Sequence, residues 1–206
     1  MSMDDRAEKL IEFFKEIEKF KTIERKLWTS NLKRMESDAD HAWHICMMIM
    51  LMEKELKGRV DVLHAMKLAL THDLGEIYAG DELTFTKNKE KALIEEGKAL
   101  KKLVAMLPED LGEEIYELWQ EFENDQTPEA RLAQALDKIE PVFQNLVSEG
   151  ISWKKHNITF GMVVENKRPH IASNKDNELL KEIYRQVLDE TKEFFENDFK
   201  KPERKK

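Results

Sequence analysis

The apolar residues of this chain recur at intervals of three and four, and that spacing leaves little room for anything but helices. Leu132, Leu136, Ile139, Phe143 and Leu146 are separated by four, three, four and three positions, the repeat of one face of an α-helix. Leu10, Ile11, Phe14, Ile17 and Phe20 follow the same rhythm. The alternation of a half-buried strand is missing, with Ile158 to Val164 as the one candidate stretch. With 7 Gly and 5 Pro among 206 residues, a turn-rich sandwich or barrel is excluded. The expected fold class is all-α.

The helices can be placed roughly. One covers Glu8 to Phe20 and is followed by an irregular basic segment, Lys21 to Glu36. A second covers Asp38 to Lys57. It is apolar almost all round between Ile45 and Met52, which predicts a central, buried helix filled by methionine side chains. A third covers Val60 to Leu74, with Gly75 at its end and the loop Tyr78 to Asp81 beyond. Others are expected over Lys87 to Leu107 and Asp110 to Glu123. Thr127-Pro128 is a strong helix start, with Thr as N-cap and Pro at the first position. That helix should reach Val147, with a kink at Pro141. Ser152 to Ile171 reads as a mixed loop, and Asn177 to Phe199 as a last amphipathic helix. The length fits one domain, taken as residues 1–200 with a basic tail at 201–206.

Charge and cysteine content narrow the function. Thirty-four Lys+Arg against 42 Asp+Glu give a net charge of −8, so no nucleic-acid polymer or anionic membrane is expected as partner. Cys46 is the only cysteine; it excludes an intrachain disulfide and a thiolate zinc site and reads as an inert buried thiol. Met1 to Lys9 is polar, so no secretory leader is expected, and no apolar run approaches the ~20 residues of a membrane span. A cytoplasmic location follows as an expectation. His, Asp and Glu remain as ligands for a metal.

Such residues lie where they are costly. His72 falls on a stripe with Ala65, Leu68 and Ala69, and Asp73 extends the stripe of Val62, Met66 and Ala69. An unpaired buried charge is unfavourable, and a divalent cation would compensate both. The alternative is a His that caps a helix end beside an Asp in a salt bridge. Glu76, about one turn after His72, can serve as acid or base for a water at such a cation. His41 opens the buried helix, and Asp137 sits among Ala130, Ala133 and Gln134 on the helix after Pro128. Each alone reads more often as structural; together they supply a one-metal set from three helices. His44, three residues after His41, shares its face and is a pocket wall, a partner of a ligand, a ligand itself or a core histidine. Lys33 and Arg34 can neutralise a phosphate or form a solvated basic segment. Trp153 and Lys155 can line the pocket mouth.

Three segments resemble the HD-domain metal-dependent phosphohydrolases: Glu36-Ser37-Asp38-Ala39-Asp40-His41, His72-Asp73-Leu74-Gly75-Glu76-Ile77-Tyr78-Ala79-Gly80-Asp81, and Ala135-Leu136-Asp137-Lys138-Ile139-Glu140-Pro141. Their order and spacing are similar to the branch that contains the bacterial 5′-deoxynucleotidases, over about Arg25 to Trp153. The resemblance implies a helical bundle around one divalent metal held by His41, His72, Asp73 and Asp137. It implies Glu76 and Asp81 as catalytic carboxylates, a nucleoside 5′-monophosphate or similar small phosphate ester as substrate, and a homodimer. The deoxynucleotidases carry an adjacent Arg-Trp pair that contacts the nucleotide; here Arg25 and Trp28 are separated by Lys26-Leu27. The residue after the first His, often Ser in this branch, is Ala42.

The metal can be Mn²⁺, Fe²⁺, Co²⁺, Ni²⁺ or Zn²⁺, since two imidazoles and two carboxylates suit each. No histidine lies between Asp73 and Asp137, which favours one metal over the two of HD phosphodiesterases. The rival readings are a nucleoside triphosphate hydrolase, a phosphodiesterase, and a non-catalytic metal- or nucleotide-binding module.

Overall fold

The structure, a computed structural model, describes residues 1–81 and 89–197. The basic tail expected at 201–206 lies outside the described residues, as do Lys87 and Asn88 of the helix expected over Lys87 to Leu107 and Phe199 of the last one. The described chain is helical apart from one pair of short strands. In order it forms α1 (Met3–Glu16), a 3₁₀ turn (Ile17–Thr22), β1 (Glu24–Trp28), β2 (Met35–Ser37), α2 (Asp38–Leu56), α3 (Val62–Thr71) and α4 (Glu76–Ala79). It continues with α5 (Lys89–Val104), α6 (Glu109–Asn124), α7 (Pro128–Val147), α8 (Ile151–Lys155), α9 (Phe160–Ser173) and α10 (Glu178–Asn197).

Helix α7 is the axis of the bundle. It packs against α2, α3, α6, α9 and α10 and also touches β1. Its stripe supplies Leu132, Leu136 and Ile139, which meet Ile45 and Ile49 of α2 and Leu68 of α3 in the largest apolar cluster. Each of these side chains is at most 1% exposed. The expected start is present, with Thr127 Oγ1 accepting from the Ala130 N–H and Pro128 in the first turn. The helix runs on through Pro141 as one element. A second cluster joins Phe13 and Phe20 to Leu100 and Leu103 of α5 and Trp119 of α6. A third lies under α8 to α10 around Trp153 and Val163.

Three expectations need correction. Helix α2 buries Ile45, Cys46, Ile49 and Met52, but Trp43 and Leu51 on its outer side are 61% and 72% exposed and Met50 is also exposed. Its apolar girth exceeds what one core can cover. The stretch Ser152 to Ile171 is α8 and α9 rather than a mixed loop or a strand at Ile158 to Val164; Thr159 caps α9 by accepting from the Met162 N–H. The strands lie instead in the basic segment, where β1 and β2 pair antiparallel with Glu24 opposite Ser37 and Trp28 opposite Met35. Gln144 Nε2 donates to the Trp28 carbonyl and Ser152 Oγ to that of Lys26, so α7 and α8 hold β1 in place.

Local chemistry sets where the ionisable residues fall. Ser37 and Asp40 form a reciprocal capping box at the start of α2, which puts His41 in the first turn. α3 stops at Thr71, and a turn carries His72 to Gly75 into α4. A Cβ on Gly75 would lie 2.8 Å from both the Glu96 carbonyl oxygen and Glu96 Cγ, so this glycine lets α5 pack directly on the turn. A Gly75→Ala protein should be less stable by about 1–3 kcal/mol, the usual cost of overpacking. Urea unfolding checks this, and an unchanged midpoint would show that α5 can yield.

Candidate metal centre and its cavity

Four side chains from three segments meet at the junction of α2, the turn after α3, and α7. His41 Nδ1 donates to Glu140 Oε2 at 2.8 Å, and its Nε2 lies 3.0 Å from Asp137 Oδ1. His72 Nδ1 donates to the Ala69 carbonyl at 2.9 Å, and its Nε2 lies 3.0 Å from Asp73 Oδ2 and 3.8 Å from Asp137 Oδ1. His41 and His72 are 0% and 2% exposed. Donor atoms of His41, His72 and Asp73 all fall within 4.8 Å of one another.

This arrangement fits a divalent cation on its own chemistry. Each ring spends its Nδ1 proton on an oxygen elsewhere, so each Nε2 turns a lone pair toward carboxylate oxygens. Electron pairs that converge in a buried space need positive charge between them. Protons supply it in the metal-free molecule. Burial and Arg25 work against a charged His41, but Glu140 and Asp137 outweigh both and hold its pKa above the ordinary value. Burial also opposes charge on His72, yet Asp73 and Asp137 hold that imidazole well above its usual range. Against burial, His72 and Arg25 hold Asp73 low, and Lys138, His41 and His72 hold Asp137 low. A metal would take the place of these protons.

Beside this set lies a second group. Carboxylate oxygens of Asp38, Asp73 and Glu76 also fall within 4.8 Å of one another. Arg25 enters it from β1, with Nη1 3.1 Å from Asp73 Oδ2 and 3.6 Å from Asp38 Oδ1, and Nε 3.5 Å from Glu36 Oε2. Burial, with Asp73, Asp38 and Asp81 nearby, pushes the Glu76 carboxyl up to about 11. Burial and Asp73 push Asp38 up to about 7. Without a metal, Glu76 therefore holds its proton while Asp73 stays ionised.

Both groups border a cavity of about 590 Å³. His72, Asp73, Glu76, Asp81, Asp137 and Arg25 line it, as do Trp153 and Leu27 on its apolar side. The remaining sequence candidates lie apart from it. His44 is half-buried behind the centre, its Nδ1 donating to Glu140 Oε1 at 2.8 Å. Arg34 is exposed and paired with Asp40, Nη2 to Oδ1 at 3.0 Å, and Lys33 is exposed. Lys155 is exposed on α8 and Trp28 is half-buried on β1; neither they nor Lys33 and Arg34 are among the residues that line the cavity. A capping carboxylate claims Arg34, which explains why its charge points away from the chamber.

Several residues at the site were not singled out from the sequence. Glu140 is fully buried and accepts from both His41 and His44. Its signal was its place three residues after Asp137 on one helical face. Lys138 Nζ lies 2.7 Å from Asp137 Oδ2. Lys167 reaches the cavity from α9, a helix that the sequence pattern did not reveal.

The chain is similar to several known proteins. A family model described as "HD domain" matches residues 17–180. A protein named 5′-deoxynucleotidase HDDC2 from Dictyostelium discoideum is 38% identical over 141 residues, 65% of this chain and 74% of that protein. Its namesake from Homo sapiens is 32% identical over 151 residues, 72% of each. A crystal structure described as "Predicted metal-dependent phosphohydrolase" from Magnetospirillum magnetotacticum superposes with a TM-score of 0.82 at 33% identity, covering 92% of this chain and 97% of the other. An HD-domain phosphohydrolase from Listeria innocua shares the fold at 17% identity, with a TM-score of 0.60.

Two outcomes follow from the geometry. Glu140→Gln leaves His41 in place but weakens its orientation, and Mn²⁺ affinity measured by calorimetry should fall by about 10- to 100-fold. Protons on His41 and His72 compete with the cation, so affinity should drop as pH is lowered from 8 to 6, and loading the chelated protein at pH 7 should release protons into weak buffer. Affinity that does not vary with pH would place the ion elsewhere.

Proposed function

Because the chain belongs to the HD-domain family, we propose that it binds one divalent cation on His41, His72, Asp73 and Asp137 and hydrolyses the phosphomonoester of a nucleoside 5′-monophosphate. The observation that carries this reading is the pair of buried imidazole Nε2 atoms facing the Asp73 and Asp137 carboxylates beside an open cavity. The relatives named 5′-deoxynucleotidase support the substrate class. Mn²⁺, Fe²⁺, Co²⁺, Ni²⁺ or Zn²⁺ all suit the donor set. When bound, such an ion supplies Lewis acidity toward a phosphoryl oxygen and makes water a better nucleophile near neutral pH.

The chain supplies the rest. Glu76 sits at the start of α4, buried and facing the cavity; a cation held by the neighbouring Asp73 would offset the negative charge that keeps Glu76 protonated, and the ionised carboxylate would then take the proton of the attacking water. Asp81, just beyond the end of the same short helix, faces the cavity as well and assists the leaving oxygen. Arg25 holds Asp73 through Nη1 and balances the carboxylates around Glu76 until substrate arrives. Trp153 and Leu27 offer apolar surface to the nucleoside. The fold works as a single domain over residues 1–200 in the cytoplasm, and none of the helices among the described residues is long and apolar enough to cross a membrane. The assembly that goes with this reading is a homodimer, for which exposed apolar side chains such as Trp43 and Leu51 on α2 and Leu63 on α3 offer surface.

The test is phosphate release from a panel of nucleoside 5′-monophosphates. Chelation should abolish it and added Mn²⁺ or Co²⁺ should restore it. Glu76→Ala should keep the metal and lose about 10²–10⁴ in kcat, the range of general acid–base catalysis. A metal-loaded wild type that releases only pyrophosphate from triphosphates would favour the triphosphate hydrolase instead.

A further inference from the structure

One cationic side chain of the cavity plays no part in the chemistry above. Lys167 lies midway along α9 and is only 7% exposed. It borders the same chamber as His72, Asp73 and Asp137. Its Nζ donates to Asn166 Oδ1 at 2.9 Å, and that amide is also in the cavity wall. Lys138 repels it and Asp137 attracts it, so it sits within electrostatic reach of the metal centre. Burial and Lys138 together push its ammonium down to about 8. Lys138 itself is engaged by Asp137 at 2.7 Å. Lys138 and Lys167 thus bring two ammonium groups to the wall of the same cavity as Asp73 and Asp137. Such positive charge suits a phosphate dianion.

We propose that Lys167 is a substrate-binding residue whose ammonium pairs with the phosphate group of the ester that occupies the cavity. The proposal rests on the phosphohydrolase reading and adds the residue that recognises the anion. It gives the acidic protein the local positive charge that Lys33 and Arg34, both exposed, do not bring to the chamber. The phosphate is charged in bound substrate and in the transition state alike, so the contact contributes to binding in both. Its loss should therefore appear in KM more than in kcat.

Kinetics of the full, metal-loaded chain test this with Lys167→Met and Lys167→Arg on the monophosphate that the wild type hydrolyses. Lys167→Met should raise KM by about tenfold or more, as expected for a hydrogen bond to a charged group. Lys167→Arg should recover most of that loss, and metal content should match the wild type. An unchanged KM in a metal-replete Lys167→Met protein overturns the proposal. A second arm uses the wild type alone, with inorganic phosphate as probe and acetic anhydride as label, read by peptide mass spectrometry. Phosphate at about ten times its Kd should slow acetylation of Lys167 by about tenfold and leave exposed Lys155 unaffected. Equal labelling with and without saturating phosphate overturns the proposal. The second arm needs no turnover, so a wild type that hydrolyses no phosphoester would defeat the phosphohydrolase reading while this arm still decides on Lys167.

Discussion

Asp137 Oδ1 is the point on which the molecule turns. It lies 3.0 Å from His41 Nε2 and 3.8 Å from His72 Nε2, and so ties the first turn of α2 and the end of α3 to the middle of α7. All three segments also supply the main apolar cluster. The core and the centre are therefore one construction: packing Ile45, Leu68 and Leu136 together brings His41 and His72, one turn from the first two, against Asp137 beside the third. A carboxylate could not remain in that interior alone, because its desolvation would cost more than the surrounding apolar contacts return. Lys138, two imidazoles and Arg25 supply the compensation, and a metal ion would strengthen it.

Around this point the charges are layered. Glu140 stands behind His41 and His44, fixing both rings by accepting from their Nδ1 atoms. Arg25 stands before Asp73, between it, Asp38 and Glu36. Asp40 belongs to neither layer; it caps α2 and holds Arg34 outside. Neighbouring carboxylates in one short motif thus do different work. Asp38 faces inward beside Glu76, Asp40 faces outward, and the two-residue step of about 200° around the helix separates their roles.

Much of this was legible in the sequence because periodicity and burial coincide in α7. The stripe Leu132, Leu136, Ile139 defined a buried face, and Asp137 at its edge was conspicuous for that reason. His72 and Asp73 stood out by the same logic at the end of α3. The hidden parts lack such a signal. β1 is only five residues long and carries Glu24, Arg25 and Lys26, so it has no apolar alternation to read. α9 contains Gly161 and Pro169, both poor helix formers, and its buried residues Val163, Lys167 and Ile171 form a stripe interrupted by a charge. α2 misled in the other direction, since apolar residues on every side suggested full burial while its outer side meets solvent. Pairings such as Arg25 with Asp73 are 48 residues apart, and no local pattern announces them.

The order of the proposed ligands along the chain has a consequence for biosynthesis. His41, His72 and Asp73 emerge from the ribosome well before Asp137, and those three already have donor atoms within 4.8 Å of one another in the finished fold. A nascent chain that has paired α2 with α3 holds most of the donor set, yet the face that α7 will cover is still open. Arrival of α7 supplies the last carboxylate and the apolar stripe in the same event. Completion of the proposed ion site and closure of the core thus coincide, and a chain that stopped before Pro128 would lack both the α7 stripe that covers Ile45 and Leu68 and the Asp137 carboxylate.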